Sequence, residues 1–317
     1  MSFEFLREGR VWLEYNSNFY LLHTMKDITF SQTFRQEDIP ARNLFANTDF
    51  FEGSSIVEAN PADFSFTIYL IANDSVSPHQ HLPLDLLIDY SGSSLNTFNL
   101  YFVYSDNNPE IYYKVENCVF TSGSFNIPRN GLMTVGLSGQ GTRLTRTSGA
   151  FPGTVLGDYE AAPEYAISKE FDIWATESGP SSATDPAYKL DNILGASLEL
   201  QNNISWTPNK TVQASLAVTD ASNTIYPTSF TLENRSLAGS IQQYVDESNA
   251  LSKDNVQTWA ENTSVVIKAG LASNNYQFEL DLEDKASFTN RTNFGEVFTQ
   301  NYDFRLMANP TTTIFTY

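Results

Sequence analysis

One cysteine, Cys118, stands in a sequence of 317 residues, and a lone thiol closes no disulfide within its chain. A small cross-linked secreted scaffold is therefore excluded, and a cytosolic origin is expected. Positive charge is scarce as well. Eighteen Lys and Arg stand against 37 Asp and Glu, a formal net charge of −19. Duplex affinity depends on neutralising phosphates with cations, so tight nucleic-acid binding is not expected, and anionic lipid headgroups are repelled on the same ground. No run approaches the ~18 apolar residues of a spanning helix, so no membrane partner is expected. The opening MSFEFLREGR has no basic segment leading into an apolar stretch, and no secretory signal is read there. Six Asn-X-Ser/Thr tripeptides, at Asn73, Asn203, Asn209, Asn234, Asn262 and Asn290, are chance matches in an Asn- and Ser-rich chain.

Aromatics are plentiful at 14%, so Phe and Tyr supply much of the buried area. Short Asn/Ser/Thr clusters separate apolar runs, the punctuation of a β-rich chain. In Phe64–Leu70 the apolar Phe64, Phe66, Ile68 and Leu70 alternate with Ser65, Thr67 and Tyr69, a strand with one buried face. Further strands are expected at 10–15, 19–22, 27–34, 98–104, 110–115, 119–126 and 132–137. A short helix is expected over 82–90, with Pro83 in its first turn. Residues 151–188, with four prolines, read as a linker that wraps a surface and contributes one strand near 166–175. Strands resume at 196–200, 204–206, 229–232 and 236–245. A second helix is expected over 253–261, capped by Ser252. Strands at 265–268, 276–282, 286–288 and 297–306 close the chain.

The order of elements repeats. Each block reads as a strand pair, a long polar arm (35–62 and 207–228), an alternating strand, one helix, then three or four strands ending in a Gly- or Asn-rich turn, with Gly139 and Gly141 closing the first. A similar phrase occurs in each, KDITFSQTF at 26–34 and NNISWTPNK at 202–210. The reading is of two tandem β-domains, 1–150 and 189–317, joined by the linker 151–188.

Several stretches carry a resemblance to the tail tube (major tail) proteins of long-tailed bacteriophages, of the fused two-domain kind. FLREGRVWLEY (5–15) resembles the family's opening strand, and KDITFSQTFRQEDIP (26–40) its first hairpin and departing arm. ADFSFTIYLI (62–71) is similar to the returning strand, and VENCVFTSGSFNIPRNGLMTVGLSGQGTRL (115–144) to the closing strands. LELQNNISWTP (198–208), LENRSLAGSIQQYV (232–245) and YDFRLMANP (302–310) resemble parts of the second domain. The resemblance implies a mainly β fold of two β-sandwich or half-barrel domains, and a structural role without catalysis or cofactor. It implies trimeric, pseudo-hexameric rings stacked into a hollow tube in the virion. Implied partners are other copies, a tape measure protein, terminator and tip proteins, and viral DNA passing through.

An anionic bore keeps phosphates off its wall only where acids face it, since charges more than about 8 Å apart are screened. Acids that alternate with apolar residues are the candidates: Glu279, Asp281 and Glu283 in FELDLE, then Glu199, Glu116 and Glu233. Phe45, Phe50 and Phe51 in the first arm are candidates for ring-to-ring contacts, being costly to leave in water.

Catalytic patterns are thin. His79 and His81 lie two apart without a recognisable set of further metal ligands. GLSGQG (136–141) misses the Gly-X-Ser-X-Gly order, so no nucleophile is assigned to Ser138. Phosphate loops of the Walker type are absent. The competing reading is a carbohydrate-binding adhesin with Trp12, Tyr15, Trp174 and Trp259 along a groove. A further alternative is a tail-end ring protein of the same fold.

Overall fold

The computed structural model describes residues 10–25, 27–39, 53–71, 81–88, 90–91, 94–105, 111–153, 165–176, 189–207, 225–244, 259–272, 275–283, 285–293, 299–307 and 315–316. The protein is mainly β, with one helix among these residues. β1 (Arg10–Tyr15) and β2 (Asn18–Leu22) form a hairpin around Asn16 and Ser17, whose φ values of 50° and 65° suit a tight two-residue turn. β3 (Thr29–Ser31) precedes an arm made of β4 (Phe34–Ile39) and β5 (Gly53–Ala59), and β6 (Ala62–Tyr69) returns from it. The helix α1 (Leu82–Ile88) buries Leu84, Leu86 and Leu87. Two short strands, β7 (Tyr90–Ser91) and β8 (Ser94–Leu95), follow it. β9 (Phe98–Ser105), β10 (Ile111–Pro128), β11 (Thr134–Gly141) and β12 (Arg143–Ser148) complete the first half.

The second half contains β13 (Glu170–Thr176), β14 (Lys189–Leu190), β15 (Ile193–Thr207), β16 (Ser229–Tyr244) and β17 (Trp259–Ala272). β18 (Asn275–Asp281), β19 (Ala286–Asn293), β20 (Thr299–Leu306) and β21 (Phe315–Thr316) follow. Three expectations are corrected here. The strands expected separately at 110–115 and 119–126 are one, β10; likewise 196–200 with 204–206 is β15, and 229–232 with 236–245 is β16. Polar residues interrupt the apolar alternation at bulges, while the ladder continues past them. Of the helix expected over 253–261, Trp259–Glu261 are strand, and 253–258 lie outside the described residues. Gly139 and Gly141, expected as a turn, lie inside β11.

Three sheets result, and two strands link them. The first runs β2–β1–β9–β10–β12, the third β14–β13–β17–β18–β21. Between them a central sheet runs β3–β6–β11–β10–β15–β16–β20–β19–β17. All these pairs are antiparallel. β10 passes from the first sheet to the central one at Asn117, and β17 from the central to the third at Asn262; their φ values are 49° and 56°. Asn tolerates that left-handed backbone better than a branched residue would. Among the described residues the ladders form an open branched set, with β3 at one end of the central sheet.

The pairing plan of the first half recurs in the second. β2–β1–β9–β10–β12 is matched by β14–β13–β17–β18–β21, and β3–β6–β11–β10 by β15–β16–β20–β19. One bent strand, β10, does in the first half what β18 and β19 do in the second. The rungs correspond too. Thr29 and Ser65 oppose each other with their hydroxyls at 2.8 Å, and Ser197 and Ser240 do the same at 2.9 Å. This register sets Phe30 against Leu198, so the similar phrases KDITFSQTF and NNISWTPNK are offset by eight residues and are not the structural repeat. Each half also places an aromatic ring over a glycine of the neighbouring strand, Phe64 over Gly139 and Phe304 over Gly239. A β-carbon at either glycine would collide with the ring and with a backbone carbonyl, Val119 O or Ser197 O.

One core runs through both halves. Phe120, fully buried, is surrounded by Phe98, Phe64 and Phe66 at ring-centroid distances of 4.5, 5.9 and 6.2 Å. Phe125 and Phe278 meet at 5.8 Å across the boundary between halves. That boundary is itself a ladder, Ser122–Pro128 against Gly195–Gln201. Beside it the buried Asn202 donates to Leu87 O and Phe120 O, both at 3.0 Å, and accepts from Arg235 Nε at 2.7 Å. The carbonyl at the end of α1 is thereby tied to strands of the second half.

Candidate functional site

A buried core covers one face of the central sheet, so the alternation of each strand sends the remaining side chains to the other face. That face is built from small hydroxyl and amide groups. Across the strands, one row reads Ser65–Ser138–Ser122–Gln201–Ser236. The next reads Thr67–Gly136–Ser124–Glu199–Ala238–Arg305–Ser287, and the one beyond it Thr134–Asn126–Ser197–Ser240–Asp303–Thr289. Apart from Tyr69, which opposes Thr134 at the end of the third row, large apolar side chains are missing from these rows, and no lysine stands in them. The sheet is concave over the second half, where Ser124, Ser197, Ser240, Asp303 and Arg305 line a shallow open depression.

Charge on this face is sparse and mostly held in place. Asp27 accepts from the Thr67 hydroxyl at 2.6 Å, and Asp63 from Gln140 at 2.9 Å. Glu199 is exposed and accepts from Gln201 at 2.8 Å. Arg291 pairs with Asp303 at 3.2 Å. Glu233 is exposed beside Asn203 and Asn234, in a second depression near the arm end.

The six acids singled out in the sequence fall on different surfaces. Glu199 and Glu233 are on the polar face of the central sheet. The FELDLE alternation is present, with Phe278, Leu280 and Leu282 buried, but its acids belong to the third sheet and the turn after it. Glu279 pairs with Lys268 at 2.6 Å, Asp281 accepts the backbone N–H of Glu283 at 2.8 Å, and Glu283 has a φ of 51°. Glu116 lies on the first sheet, 3.2 Å from Lys114. Strand alternation was legible in sequence; which sheet a strand joins was not.

The arm hairpin carries exposed apolar residues that the sequence reading missed, Phe34 at 41% and Ile56 at 49%. Phe45, Phe50 and Phe51 lie outside the described residues. At the arm's base Ala59 N donates to Ile225 O at 2.8 Å, and Phe34 and Tyr226 are 6.4 Å apart, so chain leading into β16 lies beside the first arm. Ser138 sits mid-strand in a row of hydroxyls, and no group of three metal-ligating side chains occurs among the described residues. Trp12 and Trp174, expected on a sugar groove in the adhesin reading, are only 4% and 7% exposed. Trp12 packs against Phe151 at 5.3 Å.

Residues 175–317 match the sequence profile of the Bacteriophage Baseplate Tube Protein Family. The matched segment, from within β13 onward, is similar to phage baseplate tube proteins. No curated protein matches the chain. Among solved structures it is similar to the sheath–tube complex of an extracellular contractile injection system, PVC, in its extended state. That match has 9% identity over 44% of this chain and 88% of the other, with a TM-score of 0.33. The PVC sheath/tube terminator matches at 7% identity over 44% of this chain and 93% of the other, TM-score 0.32. The six-fold symmetrised baseplate of the anti-feeding prophage matches at 10% identity over 47% and 95%, TM-score 0.33.

Proposed function

We propose that this chain is a building block of a phage tail tube, in which three copies close a ring of six similar units. The units are the tandem domains 1–150 and 189–317, with 151–188 connecting them. Rings stack through the arms, and the polar face of the central sheet lines a bore through which viral DNA passes without specific binding. The recurrence of one pairing plan in both halves carries this reading. Two units already joined by a ladder form a heterologous contact, and such a contact closes into a ring when repeated with the right rotation. The composition of the polar face supports the choice of wall. Hydroxyls and amides hold water, and Glu199 and Glu233 add negative charge against Arg305 and the Asp303-paired Arg291, leaving few cations for a phosphate backbone to grip. In the virion such a ring would meet a tape measure protein within, and terminator and tip proteins at the ends.

The family's description favours a second placement, a ring near the baseplate built on the same fold. Electron microscopy of the purified chain separates the two. Tubes of indefinite length support the main tube; rings that never stack support the baseplate position; a persistent monomer contradicts both.

A further inference from the structure

Resting on the ring reading above, we infer that β19 of one copy pairs antiparallel with β3 of the next, with Arg291 opposite Ser31, Thr292 opposite Phe30 and Asn293 opposite Thr29. The register comes from the internal junction. The rung Thr29–Ser65–Ser138–Ser122 corresponds to Ser197–Ser240–Asp303–Thr289. Continuing along the strands, Ser124, Phe125 and Asn126 correspond to Arg291, Thr292 and Asn293, while Ser31, Phe30 and Thr29 correspond to Glu199, Leu198 and Ser197. Inside the chain Ser124 opposes Glu199, Phe125 opposes Leu198 and Asn126 opposes Ser197. The same contact between copies gives the stated register.

Both edges are available for it. Among the described residues β3 has a strand on one side only, β6. Among the described residues β17 covers β19 from Ala286 to Thr289, and Asn290–Asn293 pair with β20 alone. Open edges of this kind template pairing with another chain. Burial points the same way. Leu198, covered at the internal junction, is 1% exposed, whereas Phe30, its counterpart at the open edge, is only partly buried although it stacks on Phe102 at 4.6 Å. A neighbouring strand would complete the burial of Phe30.

Engineered cysteines test this without removing the native thiol, since Cys118 is fully buried. Ser31 and Arg291 are both exposed, so Ser31→Cys with Arg291→Cys perturbs little. Oxidation of assembled protein is expected to shift the chain into covalent dimers and trimers that revert on reduction, with no fourth step. Ser124→Cys with Glu199→Cys, the same rung inside one chain, should close within the monomer and shows that the geometry permits a bond. A pair joining Ser31→Cys to Glu279→Cys should give none. If tubes form and the internal pair closes while the Ser31–Arg291 pair does not, the junction is refuted and the tube reading stands. If the unmodified chain never forms rings, both fall.

Discussion

Phe120 occupies the place where the first sheet turns into the central one, and three other aromatic rings close around it. Truncating a fully buried aromatic removes transfer free energy and leaves a cavity, so Phe120→Ala is expected to lose about 3–5 kcal/mol of stability by denaturant unfolding. The bends at Asn117 and Asn262 make a second residue-scale case. Glycine tolerates their positive φ and valine does not, so Asn117→Val should cost about 1–2 kcal/mol while Asn117→Gly is nearly silent. Tyrosines set the alkaline limit. Burial pushes Tyr302 up to about 12, and raises Tyr101 and Tyr276, whose hydroxyls donate to Glu14 and Asp172. A phenol with a raised folded-state pKa stabilises fully below its unfolded value of about 10, and that stability drains as pH rises toward 12. Melting temperature should therefore hold to pH 10 and decline above it, less steeply in Tyr302→Phe.

At the scale of elements, what could be read from sequence divides by range. Alternation gave β6 and the inward faces of β15 and β18 correctly, because period two is a local property. Glycines in β11 read locally as a turn, yet they are strand positions made necessary by Phe64, which lies more than seventy residues away in the chain. The FELDLE acids show the same limit: local pattern put them on one strand face, but long-range pairing assigned that strand to the third sheet. The order of elements suggested a repeat, while the phrases offered for it lie eight residues out of the register in which the pairings of the two halves correspond. Phe34 and Ile56 escaped notice because an exposed apolar pair within a polar arm has no periodicity to mark it. Both lie where stacking contacts are proposed. Phe34→Ser with Ile56→Ser is expected to leave the melting temperature nearly unchanged and to shorten tubes in micrographs.

At the scale of the whole molecule, the proposed ring needs edges that other copies can complete. The central sheet has a core on one face, hydroxyls and amides on the other, and, among the described residues, one-sided pairing at β3 and along the end of β19. As the wall of the proposed bore, a face of this composition should let a polyanion slide, and a charge reversal at its middle should arrest it. Glu199→Lys would place new cations around every ring, so DNA release from assembled particles is expected to slow at low ionic strength and recover as salt screens the contact. Arresting transit equally at all salt concentrations would argue that the polar face is not the wall. The most direct measurement is a reconstruction, by electron cryo-microscopy, of whatever the purified chain forms. The expected density is a three-chain ring whose sheets join into one continuous barrel, with Ser124, Ser197 and Ser240 facing the empty centre. A discrete monomer, or a ring with those serines turned outward, would contradict it.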